Sequence, residues 1–133
     1  MKINNVVVIG SGTMGSGIAA HLCNANIPVT LLDLKTEISK QARDKISKSR
    51  PPLLFDKSKI GNIEIGNIND DFDVVKKADW IVEAVVERID IKHNIYEKIF
   101  KHRKKDSVVS SNTSSIPISV LSEKLSGKDK KDF

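Results

Sequence analysis

Three glycines stand at positions 10, 12 and 15, directly after the apolar run Val6-Val7-Val8-Ile9 and at the head of a segment with helical periodicity. The spacing G-x-G-x-x-G gives each a separate reason to lack a side chain. Gly10 permits a tight turn, Gly12 lets a pyrophosphate come up against the backbone, and Gly15 lets the helix pack closely on the strand. Thr13 and Met14 fall in the first turn of that helix, whose leading N–H groups have no partners within it and, with the helix dipole, favour negative charge. The chemistry this implies is the holding of a dinucleotide. A second apolar run over 28–32 ends in Asp33, near the roughly 20-residue separation expected of an acid that hydrogen-bonds the adenosine ribose. A carboxylate accepts from a ribose 2′-hydroxyl but repels a 2′-phosphate, so NAD is expected over NADP.

Two further groups of polar residues close apolar runs. Glu87 ends Asp79-Trp80-Ile81-Val82-Glu83-Ala84-Val85-Val86-Glu87, with Lys92 five residues on, and Asn112-Thr113-Ser114-Ser115 follows the run over 107–111. At the carboxyl ends of parallel strands both would lie along the cleft that a dinucleotide crosses. On the residues alone each keeps two readings. Glu87 and Lys92 are ligands or a surface ion pair, and one of the serines is a substrate contact or a helix N-cap.

Other reactive residue types lead away from chemistry. Cys23 is the sole cysteine, set among small residues on the first helix, and reads as a buried core thiol. Asp70-Asp71-Phe72-Asp73 lacks the ligand spacing of a calcium loop and reads as the head of a short helix ending near Lys77, so no metal site is expected. Lys98, Lys101, Arg103, Lys104 and Lys105 have a single aromatic ring of the Phe, Tyr or Trp type among them, Phe100, and no interleaved aromatic pattern. They read as the solvated, cation-favouring end of a helix and not as a nucleic-acid surface.

The elements that must position these groups follow from periodicity. The run over 6–9 does not alternate and reads as a strand buried on both faces; Met14, Ile18 and Leu22 recur at helical spacing after it. A strand over 28–32 leads to a helix carrying Ile38, Ala42 and Ile46, which Ser49-Arg50-Pro51-Pro52 ends. The stretch 60–67 alternates and reads as a third strand. A fourth strand has Glu87 at its carboxyl end, a helix from about Ile89 buries Ile91, Ile95 and Ile99, and 107–111 is a fifth strand. Ile118, Leu121 and Leu125 give a last short helix stopped by Gly127. The order implies an α/β fold with a Rossmann-type doubly wound parallel sheet: residues 1–127 form one dinucleotide-binding domain and 128–133 a tail without a pattern of its own.

The chain has 133 residues and a net charge of +5, enough for one buried core. It contains no apolar run long enough to span a membrane, and because the first residues already read as strand pattern no signal peptide is expected. With a single cysteine, a reduced, cytoplasmic protein is expected.

Gly10-Ser11-Gly12-Thr13-Met14-Gly15-Ser16-Gly17-Ile18-Ala19, the run from Ala78 to Glu87, and Ser111-Asn112-Thr113-Ser114-Ser115 resemble, in order and spacing, the NAD-binding domain of 3-hydroxyacyl-CoA dehydrogenases. Arg50-Pro51-Pro52-Leu53-Leu54 and Glu87-Arg88-Ile89-Asp90-Ile91-Lys92 look most like the long multifunctional fatty-acid oxidation proteins. The resemblance implies that Gly10, Gly12, Thr13, Met14, Gly15 and Asn112 belong to the cofactor site and that Asp33 binds the adenosine ribose. It also implies that Glu87 and Lys92 contact NAD, and that Ser114 lies near the nicotinamide and the substrate's 3-oxygen. The region from Lys35 to Lys59 is shorter than the helical pair that contacts coenzyme A in some relatives.

In the family a sixth strand carries the histidine that accepts the hydroxyl proton, within Gly-x-His-Phe-Phe-Asn-Pro, followed by a partner glutamate and a helical domain. Phe133 falls a few positions before that histidine. His21, His93 and His102 lie on helices and do not substitute for it. Two functions are therefore expected as alternatives: the cofactor half of a β-oxidation 3-hydroxyacyl-CoA dehydrogenase that meets acyl-CoA only with a complementing chain, or a non-catalytic NAD-binding module or remnant of a broken gene. Without a sixth strand the fifth is a sheet edge through which chains could associate.

Overall fold

The computed structural model describes residues 2–133. Strand β1 (Val6–Ile9) leads to helix α1 (Thr13–Asn24), strand β2 (Val29–Asp33) and helix α2 (Thr36–Lys48). A 3₁₀ segment, Lys57–Asn62, precedes β3 (Ile63–Asn67), and a second, Phe72–Lys77, precedes β4 (Trp80–Glu83). Helix α3 (Ile89–His102), β5 (Val108–Ser111), α4 (Ile118–Leu121) and α5 (Gly127–Asp132) follow. All five strands are parallel, in the order β3-β2-β1-β4-β5. The chain winds outward from β1 to β3 and then returns to lay β4 on the other side of β1. That reversal opens a crevice at the carboxyl ends of β1 and β4, the place where doubly wound sheets bind ligands.

The expected two-sided burial of β1 is observed. Val6 and Val8 pack with Ala19, Leu22, Leu31, Ala42 and Ile46 on one face, while Val7 and Ile9 pack with Leu32, Ile81, Ile95, Ile99 and Val109 on the other. At about 1.5–3 kcal/mol for each fully buried side chain of this kind, these two layers hold the crevice walls in place. Cys23 is buried, as expected; desolvation pushes its thiol pKa up. No helix among the described residues is long and apolar enough to cross a membrane.

Three boundaries differ from the sequence reading. β3 begins at Ile63, since residues 60–62 belong to the preceding 3₁₀ segment. β4 ends at Glu83, so Glu87 sits in the loop before α3 and not at the strand's end. Ala84 still donates to the carbonyl of Ile9 at 2.7 Å, but the N–H of Val85 turns to the Glu83 carboxylate at 2.8 Å, and the chain leaves the sheet there. Gly127, with φ +55°, does not simply stop a helix but starts α5.

The stretch 128–133 is thus largely helical. It is short and has no apolar period, but Arg103 donates to Asp129 and Asp132, each at 2.9 Å, and the Phe133 ring packs edge-on to Tyr96 at 4.9 Å. The same bonds correct the reading of the basic cluster. The Arg103 side chain is only 4% exposed, Lys104 pairs with Asp79, and Lys98 donates to the carbonyl of Ile68, so these cations tie elements together.

Candidate functional site

A cleft of about 850 Å³ runs across the carboxyl ends of β2, β1, β4 and β5. The turn over 10–14 forms its centre. Asp33, Leu34 and Ile38 lie on one side, residues 84–87 and 112–114 on the other, and Ile91 and Ile95 of α3 add apolar surface. An apolar cleft with a few converging polar groups is the usual form of a small-molecule site.

The turn shows why glycine is needed at each position. Gly10 has φ +105°, and a Cβ there would overlap the carbonyl of Ala84 on the neighbouring strand's extension; a Cβ on Gly15 would overlap the carbonyl oxygen of Gly10. Both glycines are demanded by the fold itself. At Gly12 the situation is opposite, because a Cβ would meet no protein atom within 4 Å and would project where the cleft is open. Gly12 caps α1 without a side-chain hydrogen bond, and the first N–H bonded within this turn is that of Ser16, to the carbonyl of Gly12. The N–H groups of Thr13, Met14 and Gly15 are thereby left for an anion. These features fit a pyrophosphate.

On the β2 side, one oxygen of Asp33 accepts from both the backbone N–H and the hydroxyl of Ser11, at 2.8 and 2.5 Å, and the other accepts the N–H of Leu34 at 2.7 Å. The carboxylate is therefore aimed at the mouth of the glycine turn, with lone pairs to spare for a diol.

On the β4 side the polar groups form one connected network. Lys92 places its ammonium 2.7 Å from Glu83 and 2.9 Å from Glu87, with its side chain fully buried. The second oxygen of Glu87 accepts from the hydroxyls of Thr113 and Ser115, each at 2.9 Å, and more distantly from the N–H groups of Ser114 and Ser115. Lys92, followed by the hydroxyl of Ser115, holds the Glu87 carboxyl down at about 2. Glu83 also accepts from Tyr96 at 2.5 Å and from Ser111 at 2.6 Å. Burial, and then the bond to Glu83, raise the Tyr96 phenol pKa.

Of the residues singled out by sequence, Gly10, Gly12, Thr13, Met14, Asp33, Glu87, Asn112 and Ser114 all line the cleft, and Gly15 lies beneath the turn. Met14, given a place in the helical pattern, is 58% exposed and faces the cleft instead of the core. Lys92 is the exception. Its ammonium is enclosed between two carboxylates and is not among the groups that line the cleft. The residue that sequence reasoning passed over is Glu83, fully buried in the run that otherwise reads as plain strand. Its signal was its isolation, a lone acid with apolar neighbours on both sides.

The histidines stay away from the cleft. His93 donates from Nε2 to the carbonyl of Val120 at 3.0 Å, beside a separate cavity of about 440 Å³ between α3 and the C-terminal segment. The Nδ1 of His102 pairs with the carbonyl of Lys98 at 2.8 Å, and His21 is exposed on α1. No group of three or more His, Cys, Asp or Glu side chains suited to a metal ion occurs among the described residues.

Residues 5–132 match the family model described as 3-hydroxyacyl-CoA dehydrogenase, NAD binding domain. The chain belongs to that family. A Deinococcus radiodurans protein named as a 3-hydroxyacyl-CoA dehydrogenase is 42% identical over 125 residues, covering 89% of this chain and 36% of that protein. A Rickettsia felis protein named as a fatty acid oxidation complex trifunctional enzyme is 39% identical over 139 residues, covering 99% of this chain and 19% of the relative. Among solved structures, 3-hydroxybutyryl-CoA dehydrogenase of Escherichia coli K12 superposes with a TM-score of 0.83 at 25% identity, over 98% of this chain and 29% of that one. The chain thus spans about a fifth to a third of the length of these relatives, and the part it spans is the NAD-binding domain.

Proposed function

We propose that residues 1–133 are the cofactor-holding part of a 3-hydroxyacyl-CoA dehydrogenase of fatty-acid β-oxidation, and that the base for the reaction comes from outside these residues. The observation that carries this reading is the cleft itself. It runs from Asp33 to Ser114 past a glycine whose missing side chain is explained by the cleft and not by any protein atom.

Within it, Asp33 accepts the hydroxyls of the adenosine ribose, and the N–H groups at the start of α1 take the pyrophosphate. Glu87, held by Lys92 on one oxygen and by Thr113 and Ser115 on the other, borders the nicotinamide half. Bound there, NAD supplies the hydride acceptor. The Ser114 hydroxyl is exposed at the cleft and makes no hydrogen bond among the described residues, so it is free to donate to the substrate's 3-oxygen. It does not remove the proton. An unactivated hydroxyl is no base near neutral pH, and the nearest carboxylate, Glu87, is held at about 2, far too acidic to accept one. A positioned base contributes roughly 10²–10⁴-fold to such a step, and the family resemblance implies that a histidine on a further strand supplies it. β5 forms an edge of the sheet, where pairing with another segment or another chain would satisfy its outward backbone groups. A cytoplasmic location fits the sole, buried thiol.

Calorimetric titration of the 133-residue chain with NAD tests the reading. One-to-one binding that AMP competes away supports it, and absence of binding overturns it.

A further inference from the structure

We propose that Glu83 is a positioning residue for the cofactor site: through Lys92 it fixes Glu87 at the nicotinamide end of the cleft, and through Ser111 it fixes the origin of the 112–115 loop. This rests on the reading of the cleft as an NAD site.

Glu83 touches no cleft atom with its own carboxylate except the backbone N–H of Val85, yet each element on that side of the cleft bonds to it. Its Oε2 accepts from Val85 in the loop after β4 and from Lys92 on α3; its Oε1 accepts from Tyr96 on α3 and from Ser111, its register partner on β5. Glu83 and Lys92 are both fully buried, whereas the Glu87 side chain is 34% exposed. Glu87 is therefore the member of the trio that reaches the cleft, and its oxygens are aimed by groups that Glu83 anchors. A buried charge is costly, and a buried ion pair can often be replaced by neutral side chains of similar shape with little loss of stability. Stability alone thus gives no reason for this arrangement. Geometry does, because an ammonium bonded to Glu83 can hold Glu87 in only a narrow range of positions. At the opposite end of the cleft, Asp33 and the glycine turn share no hydrogen bond with the trio, so the two halves of a dinucleotide report on it separately.

The test compares Glu83→Gln and the double variant Glu83→Gln/Lys92→Met with the wild-type chain, measuring affinity for NAD and for AMP by calorimetry alongside thermal unfolding. AMP reaches only the Asp33 end. Loss of a hydrogen-bonded charge at the other end predicts NAD affinity lowered by about tenfold or more with AMP affinity unchanged. The double variant, which buries no unpaired charge, regains thermal stability and keeps the NAD defect. If Glu83→Gln does not fold, Glu83→Asp, which keeps the charge and the Lys92 side chain but shortens the reach to Lys92 and Ser111, is measured in its place. Wild-type NAD affinity in a folded variant, or NAD and AMP affinities falling together, overturns the inference while leaving the NAD site standing. A wild-type chain that does not bind NAD overturns both.

Discussion

Ser11 donates its backbone N–H and its hydroxyl to the same oxygen of Asp33, at 2.8 and 2.5 Å. The carboxylate at the end of β2 is thereby fastened to the middle of the glycine turn, and the acid that meets the ribose is fixed relative to the amides that meet the pyrophosphate. From this relation NAD is expected to bind in preference to NADP, because a 2′-phosphate would be pressed against a carboxylate that cannot swing away. Asp33→Ala should cost NAD about 1.5–3 kcal/mol, on the order of 10- to 150-fold in affinity. Ser11→Ala should cost less, since the backbone N–H still holds the acid. Titrations with both cofactors check this, and equal affinity for NAD and NADP would contradict it.

The glycines of the turn should separate folding from binding. An alanine at 15 drives a Cβ into the carbonyl of Gly10, backbone against backbone with no side chain to yield. It is expected to destabilise by about 3 kcal/mol, the upper end for overpacking, or more. An alanine at 12 meets no protein atom within 4 Å. It should leave the unfolding midpoint nearly unchanged while weakening NAD. Urea unfolding and calorimetry on the two variants read both quantities.

Much of this was legible in the residues. The unbroken apolar run at 6–9, the three glycines and the acid closing β2 each report a local requirement, and local requirements are what sequence spacing encodes. The network around Glu83 was not legible, because it depends on which strand lies beside which: Ser111 faces Glu83 only once β5 is laid in register against β4. The position of Lys92 was missed for the same reason. Five residues after Glu87 it reads as a partner of that acid alone, and its deeper bond to Glu83 appears only when α3 packs on the sheet. Helix α5 was invisible because Arg103, some distance back in the chain, holds it instead of an apolar stripe.

Acid should destabilise the fold. Glu87 is lowered from its usual 4.5 to about 2 by Lys92 and then Ser115, and Asp79 from 3.8 to about 2 by Lys104 and the N–H groups of Asn4 and Asn5. Both folded values lie below the unfolded ones, so each contributes stability that is complete above the unfolded value and is lost as pH falls toward about 2. The urea midpoint of the wild-type chain should therefore drop as pH falls from about 4.5 to about 2. Glu87→Gln and Asp79→Asn should each show a shallower drop over that window. Parallel curves for all three proteins would contradict the assignment.

In the proposed division of roles these residues hold the cofactor and the base comes from outside them. The most direct measurement is NADH absorbance, followed after acetoacetyl-CoA is added to the chain saturated with NADH. Bound NADH should not be oxidised above its rate in solution, because neither Ser114 nor Glu87 can exchange the proton that must accompany hydride transfer. Turnover by the chain alone, abolished by Ser114→Ala, would contradict it.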